Sequence, residues 1–242
     1  MTTYMLVPGF WLGAWAWDEV AAGLRERGHA ALPLTPLGVG ERAAHTGVTI
    51  EDQVDDVVAR LRERDEPVVL VGHSGAGPVV TAAAERAREG VSALVLVDTG
   101  PLPADVSHLD FVGPEQATAI RHTLAEQAGR YPMPAREAFG PITAGIDEAT
   151  FDAVRARSAP VPEGVVCTTA RRAGRPDRTL TKIVVGCLFT AADVRAGAEA
   201  GAPGFAEMTG PEWSIVELPT GHWPMFSEPA ALTDLLVKAG RV

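Results

Sequence analysis

Val68-Val69-Leu70-Val71-Gly72-His73-Ser74-Gly75-Ala76-Gly77 decides how this chain folds. Four apolar residues run without alternation, as in a parallel strand buried on both faces. They end at a Gly-His-Ser-Gly turn, and small residues then open a helical pattern. A strand, a sharp turn and a helix in this order lift the Ser74 hydroxyl above the end of the sheet, which is the context of a nucleophile elbow. Ser74 is therefore the candidate nucleophile.

The same strand–helix cadence runs outward in both directions. A short apolar run at residues 4–8 stops at Pro8-Gly9, and a helix follows the tryptophan-rich turn Phe10 to Trp17. Residues 29–35 read as a second strand and 51–64 as an amphipathic helix, acidic early and basic late as the helix dipole favours. Residues 75–88 form the helix after the turn, and 91–98 the next strand. Alternation of this kind predicts a doubly wound, mostly parallel sheet. It breaks over residues 99–179, which are rich in proline from Pro101 to Pro176 and show helical stretches near 115–128 and 147–158 but no strand pattern. Strands then resume at 180–189 and 213–218, with helices at 191–208 and 229–239. The expected organisation is a core of residues 1–98 and 180–242, with a helical cap, residues 99–179, inserted after the strand that follows the elbow helix.

Composition narrows the function. At 242 residues with 46% hydrophobic and 21% charged residues, the chain suits one α/β domain. A net charge of −10 argues against nucleic acid and against an anionic membrane surface, both of which need clustered basic residues. Cys167 and Cys187 have no metal-ligand spacing, so neither a metal site nor a disulfide framework is expected. No signal-peptide pattern and no ~18-residue apolar span are present. The expected location is cytoplasmic and the expected partner a small molecule, with no cofactor.

A serine hydroxyl needs a base to take its proton and fixed dipoles to hold an oxyanion. Of the six histidines, His222 lies in Pro219-Thr220-Gly221-His222-Trp223-Pro224, directly after the last strand. His45, in a long loop, is the rival. His73 alternates away from Ser74 and reads as structural, while His108 and His122 fall in the insertion. Two acids compete to orient the base. Asp98 ends the strand after the elbow helix. Asp193 has a simpler explanation as the first-turn residue of a helix capped by Thr190. Asp98 is favoured and Asp193 is the alternative. The backbone N–H groups of Phe10 and Gly75 are the candidate oxyanion donors. Trp11 and Trp223 are the expected pocket residues. Phe111, Tyr131, Met133, Phe139 and Phe151 are candidate walls that insertion packing alone would also explain.

The elbow, the turn Gly9-Phe10-Trp11-Leu12-Gly13-Ala14-Trp15-Ala16-Trp17 and the closing His222-Trp223-Pro224-Met225-Phe226-Ser227-Glu228-Pro229 together resemble the α/β-hydrolase superfamily. Within it they are similar to the small esterases related to plant methyl-ester esterases and hydroxynitrile lyases. Pro8 replaces the usual first-motif histidine, Ala76 a glycine, and Leu188 to Ala192 fill the place where the family's acid usually lies. The resemblance implies Ser-His-Asp acyl transfer on a carboxylic ester, thioester or lactone of a small apolar molecule. One alternative is lyase or cyclase chemistry on the same fold with the histidine as acid/base. The hydroxynitrile-lyase form is disfavoured, because Gly9 and Trp223 stand where those enzymes carry Thr and Lys. A second alternative is a non-catalytic binding protein on a hydrolase scaffold.

Overall fold

In a computed structural model of the chain, residues 1–173 and 177–241 are described; Pro176 of the insertion and Val242 at the end of the second core segment lie outside them. The strands are β1 (Thr3–Val7), β2 (Ala30–Pro33), β3 (Val68–His73), β4 (Val91–Val97), β5 (Arg130–Tyr131), β6 (Val161–Pro162), β7 (Thr181–Gly186) and β8 (Trp213–Glu217). The α-helices are α1 (Asp18–Glu26), α2 (Ile50–Arg62), α3 (Gly77–Arg86), α4 (His108–Phe111), α5 (Pro114–Glu126), α6 (Glu148–Arg157), α7 (Glu163–Cys167), α8 (Ala191–Glu199), α9 (Pro224–Ser227) and α10 (Pro229–Ala239).

Six strands form one sheet in the order β2-β1-β3-β4-β7-β8, every pair parallel. Its unbroken apolar runs are explained by two cores, one on each face. Tyr4, Leu6, Val69, Val71, Val95 and Val97 point to a core completed by Trp17 of the 3₁₀ turn before α1, by Val20 and Leu24 of α1 and by Leu232 and Leu236 of α10. Met5, Val7, Val68, Leu70, Leu94 and Leu96 point the other way, to Val54 and Val57 of α2, Val80 of α3 and Val194 of α8. Period-two alternation splits one hydrophobic string between two helix layers. β2 is an edge strand and tolerates Pro33 at its end.

Residues 99–173 leave the sheet after β4 and carry α4 to α7. They have a small core of their own, in which Leu109, Ile120, Leu124, Val161 and Val165 pack with Val48. Here the structure adds a feature that composition hid. Arg130–Tyr131 and Val161–Pro162 pair antiparallel as a two-stranded ladder, too short to show a periodicity. The helix expected over 191–208 also ends earlier, at Glu199. Gly201 adopts a left-handed φ of +69°, which stops the helix, and Pro203 follows.

Candidate active site

The elbow stores strain where the serine sits. His73 ends β3 in extended backbone, Ser74 turns to φ +50°, and a short 3₁₀ turn, Ser74–Ala76, leads into α3. The tightness of this crossing explains its glycines. A Cβ on Gly72 would come 2.4 Å from Val80 of α3, and one on Gly9 would come 2.7 Å from the Ser74 Cβ. Among the described residues, four non-glycine positions have positive φ, and three of them, Trp11 (+67°), Ser74 (+50°) and Asp98 (+46°), line one cavity. Strain concentrated in this way marks a site whose geometry the surrounding fold enforces.

Ser74 Oγ lies 2.7 Å from His222 Nε2, and His222 Nδ1 lies 2.6 Å from Asp98 Oδ2. An ionised carboxylate can only accept, so Nδ1 carries the proton and Nε2 is left to accept from the hydroxyl. The Asp98 side chain is nearly inaccessible, at 2% exposure. Burial pushes its carboxyl pKa upward, but the His222 ring and the amides of Leu188 and Cys187 outweigh burial and hold it below the usual carboxylate value. Both amides donate to Asp98 Oδ1 at 2.9 Å. Thus the loop after β7 supplies the donors that hold a carboxylate placed just past the end of β4.

Asp193 sits elsewhere. It forms a capping box with Thr190 at the start of α8. His45 is exposed and does not line the cavity. His73 points away from Ser74 and is fully buried, and its Nε2–H donates to the His222 carbonyl at 2.7 Å. Burial, with the neighbouring His222 ring, pushes the His73 pKa down to about 3, so the ring is neutral. Its supporting contact spans 149 positions of sequence, which no local pattern reveals. On the other flank, the His222 N–H donates to Ile142 O at 2.8 Å.

The cavity above these groups has a volume of about 860 Å³. Phe10, Trp11, Gly75 and Trp223 line it, together with Phe111, Tyr131 and Phe139 of the insertion. Met133 and Phe151 are instead buried in the core on one face of the sheet. Trp17 is fully buried, and Trp15 stacks on Phe226. Asp98 is the only charged side chain among the described lining residues. The Phe10 amide donates to no other group among the described residues. Among the described residues no cluster of His, Cys, Asp and Glu suited to a metal is present, and no helix is long and apolar enough to cross a membrane.

Comparison with known proteins turns this geometry into an assignment, since the alpha/beta hydrolase family matches residues 5–235. The chain belongs to that family. This α/β-hydrolase is 40% identical to a carbendazim hydrolyzing esterase of Nocardioides sp. (strain SG-4G) over 101 residues, 40% of this chain and 42% of the relative. It is 38% identical to esterase PIR7B of Oryza sativa subsp. japonica over 99 residues, 39% of this chain and 37% of the relative. The chain thus spans about two fifths of the length of the curated relatives it matches. Among solved structures, an extracellular alpha/beta-hydrolase from a Paenibacillus species superposes with a TM-score of 0.83 at 22% identity, covering 100% of both chains. Polyneuridine aldehyde esterase superposes with a TM-score of 0.70 at 17% identity over 98% of each chain. At these identities the likeness is one of fold.

Proposed function

We propose that this α/β-hydrolase is a serine esterase that cleaves a carboxylic ester, thioester or lactone of a small, uncharged, apolar molecule. The observation that carries this reading is the continuous hydrogen-bonded line Asp98–His222–Ser74, with contacts of 2.6 and 2.7 Å, opening into an apolar cavity. Ser74 Oγ attacks the carbonyl carbon while His222 Nε2 takes its proton. The tetrahedral oxyanion is held by the N–H groups of Phe10 and Gly75. His222 then returns the proton to the leaving alkoxide or thiolate, which departs and leaves an acyl-serine. Water, deprotonated by the same nitrogen, attacks the acyl carbon; the C–Oγ bond then breaks, His222 returns the proton to Ser74 Oγ, and the carboxylic acid is released. Asp98 keeps the proton on Nδ1 and offsets the imidazolium charge in both halves. Residues 99–179 act as a cap over the core formed by residues 1–98 and 180–242, and the cavity lies between them.

Hydrolysis of a p-nitrophenyl ester, with fluorophosphonate labelling of the serine, tests the reading. The wild-type protein is expected to label once and to release a carboxylic acid. Ser74→Ala should not label and should lose at least about 10³-fold in kcat. Wild-type turnover by Ser74→Ala would end the proposal, and a carbonyl product without the acid would point to the lyase alternative.

A further inference from the structure

The insertion reaches down to the candidate oxyanion donors through one side chain, His108. The sequence leaves this residue as a plain member of the insertion, yet its ring lines the cavity. It is the first residue of α4, placed by a capping box in which Ser107 Oγ accepts from the Asp110 N–H at 3.1 Å and the Asp110 carboxylate accepts from the Ser107 N–H at 3.1 Å. From there the ring makes two contacts with the core. Its Nε2 lies 2.9 Å from Gly75 O, and its face lies 4.6 Å, centroid to centroid, from the Phe10 ring. Phe10 in turn packs on Gly75 so closely that a Cβ there would come 2.5 Å from the Phe10 Cδ1. His108, Phe10 and Gly75 therefore form a closed triangle.

We propose that His108 is a positioning residue for the oxyanion site: its Nε2–H, donated to the Gly75 carbonyl, aims the backbone that receives the negative oxygen, while its ring packs at a tilt against Phe10 as a secondary contact. The inference rests on the serine-esterase reading. Gly75 has no side chain to anchor it, so its backbone orientation must be imposed by its neighbours. A fixed carbonyl on one side and an aromatic ring on the other remove that freedom before substrate arrives, as electrostatic preorganisation requires.

The proton inventory of the ring agrees with this assignment. Burial pushes the His108 pKa down to about 4, with the backbone of Gly75 and Val165 opposing the shift. A neutral ring has one N–H, and the Gly75 carbonyl claims it. His108 thus acts as a donor in the contact with the Gly75 carbonyl, which can only accept.

Two variants separate the two contacts. His108→Phe keeps an aromatic face against Phe10 and removes the donor. His108→Gln places an amide N–H near the position of Nε2 and removes the ring. Direct removal of an oxyanion donor lowers kcat by about 10²–10³-fold, and an indirect brace is worth less. The expected result for His108→Phe is a fall in kcat of about 10–10²-fold with KM within about threefold. His108→Gln is expected to recover to within about threefold of wild type. His108→Leu serves as the non-donor variant if His108→Phe does not fold. Unchanged kcat in the non-donor variant, or equal losses in both variants, overturns the inference. The Gly75 amide resonance in a ¹⁵N-labelled protein reads the brace without any turnover. It should shift in the non-donor variant and return towards wild type in His108→Gln. An inactive wild-type protein with that shift would sink the esterase reading and leave the brace standing; an unmoved resonance would sink the brace.

Discussion

Asp98 leaves β4 in left-handed backbone, φ +46°, and its carboxylate is met there by two amides and one imidazole. Nothing comparable surrounds Asp193, whose partners are its own helix cap. Asp98→Asn is therefore expected to lower kcat by about 10³–10⁴-fold, by placing a donor where Nδ1–H needs an acceptor. Asp193→Asn should leave kcat unchanged and cost at most about 1 kcal/mol of stability. Steady-state kinetics and urea unfolding of both variants check this pair. The support beneath the base makes a pH prediction. His73 has a folded-state pKa of about 3 against an ordinary 6.5. The folded state thus holds the ring neutral, and the unfolded chain takes up its proton first. The stability His73 contributes is complete above pH 6.5 and is lost as pH falls from there towards 3, by up to ~1.4 kcal/mol per pH unit. Urea unfolding at pH 7.5 and 5.5 should show a smaller drop for His73→Asn than for wild type.

At the scale of elements, the crossing of β3 and α3 is a tight joint beneath the site. A methyl on Gly72 would meet both γ-carbons of Val80, at 2.4 and 3.0 Å. Gly72→Ala should destabilise the fold by about 1–3 kcal/mol through overpacking. Val80→Ala in the same chain should return part of that loss, so the double variant falls short of the sum of the singles. Thermal or urea unfolding of the three variants reads the coupling. This joint was legible in the sequence because its signals are local: an apolar run, a glycine on each side of Ser74, and a helix start. The two-faced cores were legible for the same reason, as was the short reach of sequence between β4 and its terminal acid. Other features were hidden because they depend on residues far apart in the chain. The bonds from His73 to the His222 carbonyl and from His108 to the Gly75 carbonyl join side chains to backbone groups 149 and 33 positions away. The early end of α8 was misread because alanines favour helix beyond Glu199, and the conformation of Gly201 overrides them.

Across the whole molecule, the insertion is tied to the core on several sides of the cavity. The Trp11 indole N–H donates to Tyr131 O at 3.0 Å, and the Ala159 N–H donates to Trp11 O at 2.9 Å. Gly221, beside the base, lies so near that a Cβ would come 2.2 Å from Ala144 O. Gly221→Ala is accordingly expected to lower kcat at least about tenfold by displacing His222, measured on the folded fraction. At the far end of the insertion, Arg172 joins Glu85 of α3 at 2.6 Å and Glu207 at 2.8 Å, with 8% of its own side chain exposed. Arg172→Met would strand both carboxylates. A loss of about 2–3 kcal/mol is expected in urea unfolding, below the full value for a buried pair because Glu207 stays 26% exposed.

The two amides that hold the Asp98 carboxylate belong to successive residues of the turn after β7. A deletion or insertion in that turn would leave the acid in place and take away its anchorage, so the length of this turn is not free to drift. The stretch between β4 and β7 carries no such obligation over most of its surface. Under the esterase reading, diversification towards new substrates is thereby channelled into the parts of the insertion that touch neither Gly75, His222 nor Gly221, while His108, Ile142 and Ala144 are held in place.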